Sequence, residues 1–518
     1  MQNASRRFPG TQFRKRVISF FSPQKLSLAL IGFGILVRLV QYLHNRSLWA
    51  DEAVLALNIV NRSYLELLQP LDYDQGAPLG FLMVEKLAVQ VFGNNEYALR
   101  LFPLLSGIAS LFLFYELAKR CIQPKAIPIG LALFASLQPF VYFSSEVKQY
   151  SSDVAIALLS CLIIMQMNTK KLTLGHLAAF GIVGATAIWF SHPAIFVLAG
   201  VGTSYFIINF YKKNFLNITK ILIVYLIWIL SFSLFYWISL SQLVSNENLL
   251  SSWGDHGGFP DSVFEINWLF ETFIKFFTSP LGFPEIIVGV AILTFLSGCI
   301  AKYYDKKSTL LILLSPLLVT LFAAYLHKYP FSRRLVLFLT PFVVLILAEG
   351  ANYIYRKLRS SSAASVGILL LVLLLASPLS ISSYSLIEPS LKEEIKPIMN
   401  YVKEHKKAED TVYVYQRGEY QFKYYAKNYG FQEGDYIIGV DDLDQKDGSG
   451  LSLEESKRYI DDLDKLRGKK RVWVIFSHLT RASTDERKLI ELYIDSMGKR
   501  IDAFRRKGAE VHLYDFSE

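Results

Sequence analysis

The stretch KLSLALIGFGILVRLVQYLHNRSLWADEAVLALN (residues 25–58) passes within a few positions from an apolar run to two adjacent acids, Asp51 and Glu52, behind Trp49. The run, read over 20–43, is long enough to cross a hydrocarbon layer of about 30 Å, which takes about 20 residues. The acids therefore stand at a membrane exit. The same kind of run recurs at 97–118, 125–142, 151–167, 173–190, 193–211, 219–240, 284–301, 308–326, 333–352 and 364–382, which makes eleven expected spans. The segment 77–93 is shorter and carries Glu85 and Lys86, so an amphipathic helix at the interface is expected there.

Composition agrees with a polytopic membrane protein. Of 518 residues 52% are hydrophobic and only 19% charged, and mean hydropathy is positive. The net charge of +10 has a membrane explanation, because basic residues collect in cytoplasmic loops. KRCIQPK (119–125), NTKK (168–171), YKKN (211–214), KYYDKK (302–307) and YRKLR (355–359) fall in alternate loops. Together with the basic N-terminus they define the inner side, and nucleic acid is not an expected partner. Cys121, Cys161 and Cys299 are isolated and form neither a metal motif nor a disulfide framework.

After 384 the chain changes character. Strand-length runs at 411–415, 435–440, 471–476 and 509–516 alternate with helical patterns, so residues 385–518 read as an extracytoplasmic α/β domain with a largely parallel sheet. Residues 1–384 form the membrane domain, and the N-terminus is placed in the cytoplasm.

This topology gathers the unusual polar residues on the outer face. Asp51 and Glu52 lie in the first outer loop, 44–96, and SSEVKQYSSD (144–153) in the second. FSHPA (190–194), SSWGDHGGFPD (251–261) and LHKYPFSRRLVLFLTP (326–341) follow. Ionisable groups at span ends are costly unless they are paired or used. Each also has a structural explanation. Two acids suit the first turn of a helix, Glu146 and Lys148 suit an ion pair, and Arg333 and Arg334 suit snorkelling anchors.

LWADEA, GAPLGFLMVEKL, FGNNEYALRLFPLLSG, YFSSEVKQYSSDV and YPFSRRLVLFLTP occur here in the order that resembles the GT-C superfamily of integral membrane glycosyltransferases. The likeness is to protein O-mannosyltransferase-like proteins (family 39), rhizobial lipopolysaccharide galacturonosyltransferases and lipid A aminoarabinose transferases. It implies an inner-membrane enzyme that takes a sugar from a polyprenyl phosphate on the outer face. The acceptor would be a lipid, a glycan or a protein. It implies catalytic roles for Asp51 and its neighbour Glu52, and substrate binding by Glu146, Lys148 and Tyr150, which match a Glu-x-Arg-x-Tyr pattern with lysine for arginine. DQGAPLG (74–80) departs from the Pro-Pro-Leu stretch that such proteins carry.

The chemistry agrees with this site. A carboxylate near the anomeric carbon takes the acceptor's proton, and cations meet the departing phosphate. Arg333 and Arg334 are the phosphate candidates, only one of which can face the cavity if both sit on a helix, and Lys148 is the alternate. No metal ligands are assigned; a divalent metal is a possible cofactor. The catalytic parts all precede residue 350, so the tail is expected to position the acceptor. The rival reading is a polytopic transporter or lipid flippase. It calls for repeated halves and midplane charge, and neither is evident.

Overall fold

The computed structural model describes residues 22–167, 173–244, 253–254, 257–262, 264–359, 362–441, 451–479 and 483–517. The basic N-terminus, NTKK and His256 lie outside the described residues. Among the described residues nine helices are long and apolar enough to cross a membrane: Pro23–Leu43, Glu96–Cys121, Tyr150–Met167, Ala194–Tyr211, Phe215–Leu240, Glu285–Asp305, Lys307–Tyr325, Arg333–Leu358 and Ala364–Tyr384. A bent pair, Ile127–Ser136 and Gln138–Ser145, makes a tenth, and Leu174–Phe190 is a shorter apolar helix.

The bend has a specific cause. Pro139 carries no N–H to donate to the carbonyl four residues back, Ala135. The axes turn by 60° there. Arg38, a cation within the first span and 1% exposed, donates instead to Ala135 O (3.3 Å), Phe134 O (3.3 Å) and Gly34 O (3.0 Å). Ser382 Oγ reaches Ser136 O at 2.5 Å from the last span. A buried arginine inside an apolar run thus replaces the bonds that proline removed.

Elsewhere small residues set the packing. A Cβ on Gly350 would lie 1.9 Å from Thr294 O, and one on Gly298 would lie 2.0 Å from Ile346 O. Glycine at both positions lets Glu285–Asp305 and Thr340–Leu358 cross almost backbone to backbone.

The 77–93 segment is helical over Leu79–Phe92, but its charges face inward. Glu85 is fully buried, and Lys86 Nζ donates to Val60 O at 2.9 Å. That carbonyl belongs to the last turn of the Ala50–Asn61 helix, where no intrahelical donor remains. Exposed Leu87, Val91 and Phe92 make the opposite face apolar.

The tail folds into a five-stranded sheet ordered β2-β1-β3-β5-β4, with β1 Thr411–Val414, β2 Tyr436–Ile438, β3 Arg471–Ser477, β4 Lys499–Arg506 and β5 Ala509–Asp515. β1 pairs parallel with β2 and β3, whereas β5 pairs antiparallel with β3 and β4. The sheet is mixed, which corrects the largely parallel expectation. A two-residue turn with Gly508 at φ 67° joins β4 to β5, and so short a link permits only an antiparallel pair.

The tail packs on the start of the Ala50–Asn61 helix. Leu48 N donates to Tyr425 Oη (2.9 Å), Ala50 N to Glu393 Oε2 (3.0 Å) and Ser47 N to Glu394 Oε1 (3.2 Å). Lys396 bridges Asn45 O (2.6 Å) and Glu96 (2.7 Å). Ala50 N, a first-turn donor that the helix cannot satisfy internally, is thus met from about 340 residues away in sequence, across this contact.

Candidate active site

A cavity of about 750 Å³ lies between the span ends and the tail. Trp49, Asp51, Gln75, Arg333 and Arg334 line it on the helical side, and Lys392, Gln416 and His478 on the tail side. The tail, which the sequence reading expects to position the acceptor, is therefore part of the wall, and it adds polar groups there from beyond residue 350.

Asp51 and Glu52 diverge as adjacent helical residues must, by about 100°. Asp51 is 21% exposed and faces the cavity, bonded to Arg334 and 3.4 Å from Lys148 Nζ. Burial alone would raise the Asp51 pKa, but the charges of Arg334 and Lys148 outweigh it and hold the carboxyl well below the ordinary range. Glu52 is fully buried and turned inward. Arg46 Nη1 lies at 2.5 Å and Arg100 Nη2 at 2.9 Å, and Val147 N donates to it at 2.9 Å. Burial opposes its charge too, yet Arg100 and Arg46 keep it ionised. Glu52 also accepts from Trp49 N at 3.4 Å, as a capping residue does. Glu52 thus stands off the cavity wall and fastens the loops at this end of the helices to one another.

The Glu146, Lys148, Tyr150 series crosses a bend: Glu146 is extended (φ −117°, ψ 138°), Lys148 N donates to Glu146 O at 2.7 Å, and Tyr150 opens the helix Tyr150–Met167. Glu146, fully buried, accepts from Trp49 Nε1 at 2.8 Å. Lys148 Nζ donates to Gln75 Oε1 at 2.7 Å besides facing Asp51. Gln75 belongs to the divergent DQGAPLG stretch, so that segment reaches the site through an amide. For Lys148, burial lowers the pKa more than Asp51 raises it.

Arg334 stands 5.3 Å from the Trp49 ring and 5.5 Å from the Tyr150 ring, an aromatic slot that fixes the guanidinium. Arg333 is exposed at the cavity and adopts φ 45°, a left-handed conformation that costs a β-carbon-bearing residue about 1–2 kcal/mol. Both arginines line the cavity, because a short 3₁₀ segment, Arg333–Leu339, replaces the expected α-helical start. Only Arg334 touches the carboxylate.

Sequence reasoning missed Arg46, Arg100 and Lys392. Arg100 was visible as a single cation in the apolar run YALRLFPLLSG, which demands an internal partner. Lys392 sits over the Trp49 ring at 3.5 Å and 3.9 Å from Glu146; nothing in its local sequence marks it.

The donor set at Asp51, one carboxylate between an arginine and a lysine, does not fit a divalent cation. Among the described residues, the grouping compact enough for one is Glu491, Glu510 and His512 in the tail. There Arg487 and Arg505 already hold Glu510.

A profile of the dolichyl-phosphate-mannose-protein mannosyltransferase family matches residues 76–237. No curated protein sequence matches the chain. Among solved structures, ArnT from Cupriavidus metallidurans bound to undecaprenyl phosphate superposes with a TM-score of 0.54 at 12% identity, over 94% of this chain and 97% of that one. Archaeal oligosaccharyltransferase AglB from Archaeoglobus fulgidus, in complex with an inhibitory peptide and a dolichol-phosphate, gives 0.53 at 11% identity over 94% and 74%. The fold is like that of ArnT and AglB, and the described helices make the chain a multi-pass membrane protein.

Proposed function

We propose that the protein moves a sugar from a polyprenyl-phosphate donor to a hydroxyl-bearing lipid, glycan or protein on the outer face of the membrane, inverting the anomeric centre. The observation that carries this reading is Asp51 between Arg334 and Lys148 on the cavity wall. In the resting site the carboxylate occupies the two cations that a phosphate needs. An arriving donor phosphate competes for them and frees Asp51. The acceptor oxygen then bonds to the anomeric carbon as the carbon–oxygen bond to phosphate breaks. The phosphate leaves with the electron pair, met by Arg334 and Lys148, and the acceptor's proton passes to Asp51.

A route for the lipid supports the reading. An apolar groove of about 380 Å³, lined by Leu79, Met83, Trp189 and Phe190, meets a smaller hollow at Leu79. Gln75 joins that hollow to the main cavity. The lipid phosphates named for ArnT and AglB are consistent with such a path. The alternation of basic loops supports an outer cavity, with residues 1–384 as the membrane domain and 385–518 outside it.

Purified protein supplied with undecaprenyl-phosphate sugars tests the assignment. Wild type is expected to release undecaprenyl phosphate, and Asp51→Asn to lose at least about a hundredfold in rate. Near-normal turnover by the variant would sink the role given to Asp51. A periplasm-active reporter fused after residue 390 tests the orientation; activity of a cytoplasm-only reporter there would reverse it.

A further inference from the structure

The tail turns the carboxyl edge of its parallel strands toward the cavity. Gln416 and Arg417 follow β1, Asp441 follows β2 and His478 follows β3, and all four line the wall opposite Arg334. Open α/β sheets bind ligands beyond the carboxyl ends of their strands.

Two of these groups are placed in a way the fold itself does not require. Gln416 is 3% exposed, yet among the described residues neither Nε2 nor Oε1 has a hydrogen-bond partner. A buried amide open at both ends destabilises a fold unless something completes it. His478 holds a left-handed backbone, φ 57°, at the end of β3, and its Nδ1 lies 2.8 Å from Glu393 Oε1. The other oxygen of Glu393 accepts from Gln421 Nε2 at 2.8 Å and from Ala50 N at 3.0 Å. The imidazole is thereby tied to the first residue of the helix that carries Asp51.

We infer that this edge is the acceptor subsite and that it takes a carbohydrate. The inference rests on the glycosyl-transfer reading above and names its acceptor class. Side by side, a primary amide offers an acceptor and a donor, so one ring hydroxyl donates to Oε1 while its neighbour accepts from Nε2. The Tyr420 ring, paired with Tyr73 at a centroid distance of 4.6 Å, supplies an apolar face for the C–H side of a sugar. The local charge disfavours an anionic group: Arg417 Nε is held by Glu486 at 2.8 Å, Lys392 is held by Trp49 and Glu146, and Asp441 and Asp74 add negative charge.

The test uses the full-length protein in lipid nanodiscs, with methyl α-mannoside and methyl α-galactoside as probes in saturation-transfer NMR. Undecaprenyl phosphate binding is measured separately. Wild type is expected to saturate at least one glycoside, and Gln416→Leu to cut that signal at least fivefold while its thermal midpoint stays level or rises. His478→Gln, a second variant outside the amide, is expected to cut it about threefold. Absence of glycoside binding in wild type would overturn the inference, as would an unchanged signal in Gln416→Leu. So would a fall in both stability and signal, which would give the amide a structural role. Binding of N-acetyl-Gly-Ser-Gly-amide in place of the glycosides would overturn the carbohydrate class. Undecaprenyl phosphate binding that survives any of these failures leaves the donor reading standing; its loss beside intact glycoside binding counts against the donor reading alone.

Discussion

Asp51→Asn keeps the side-chain volume and removes a charge at the cavity surface, so the protein is expected to fold and insert while turnover fails. Glu52→Gln is expected to do something different. It leaves Arg46 and Arg100 buried without their shared counter-charge, a change that costs about 3–5 kcal/mol when one partner of a buried pair is lost. A lowered thermal midpoint and poor recovery from detergent would register it; a stable variant with a purely kinetic defect would put Glu52 back at the reacting centre. Arg334→Ala is expected to lower kcat sharply and raise donor KM, and Arg333→Ala to change either about twofold, since only Arg334 meets Asp51. Equal, mild losses would favour snorkelling for both.

The pH dependence follows from the sign of the Asp51 shift. Its carboxyl titrates below the ordinary value of about 3.9, so the ion pairs are intact above that value and are lost only as pH falls through the depressed one. The acid limb of the kcat/KM profile, which reports the free site, is therefore expected to show no inflection near pH 4. Lys148→Met removes one of the two cations and moves the Asp51 titration upward, so an acid limb is expected to enter the measurable range. A profile identical to wild type would mean that Lys148 does not hold Asp51. At this scale the sequence was half legible. Asp51, Lys148 and Arg334 were all marked, because charges at span ends are rare. Two adjacent acids, however, look alike in a string, and only the direction of the Ala50–Asn61 helix separates the one that faces the cavity from the one that ties the loops together.

The bend between Ile127–Ser136 and Gln138–Ser145 puts Pro139 and Phe143 on the cavity wall. Arg38→Met leaves the carbonyls of Phe134 and Ala135 without their donor and is expected to reduce the monodisperse fraction and the thermal midpoint. Adding Pro139→Ala restores an N–H that can reach Ala135 O and is expected to recover part of that stability, measured as a double-mutant cycle. Strict additivity would show that Arg38 and Pro139 are not coupled. The element boundaries were readable from apolar run length, but the bend was not: GLALFASLQPFVYF reads as one run, and the clue was Arg38, about 100 residues earlier. The strand Lys499–Arg506 was hidden for the opposite reason. Its sequence KRIDAFRR is charged as exposed edge strands are, which discourages pairing with other chains and also masks the strand pattern.

Across the whole molecule, the likeness in fold extends through both the helices and the tail, since the ArnT superposition covers 94% of the chain. Deleting residues 391–518 is therefore expected to abolish donor hydrolysis along with acceptor transfer, because Glu393, Glu394 and Tyr425 leave with the deletion. Hydrolysis at a tenth of the wild-type rate or better would show that the helical half holds Asp51 in place by itself. Sequence alone placed the tail beside the site, from loop charge and strand pattern, but could not show that it supplies hydrogen bonds there. Contacts between residues 47–50 and 393–425 have no signature in either segment.

These contacts also fix an order in time. A chain emerges from the ribosome N-terminus first, so the helix bearing Asp51 is made early and its backbone partners late. No nascent fragment that ends before Glu393 contains the group that receives Ala50 N, and none that ends before Tyr425 contains the hydroxyl that receives Leu48 N. The membrane helices can be inserted and packed while the carboxylate still lacks its final support. The last quarter of translation is then also the step that arms the site, and an incompletely synthesised copy lacks a finished Asp51 helix start.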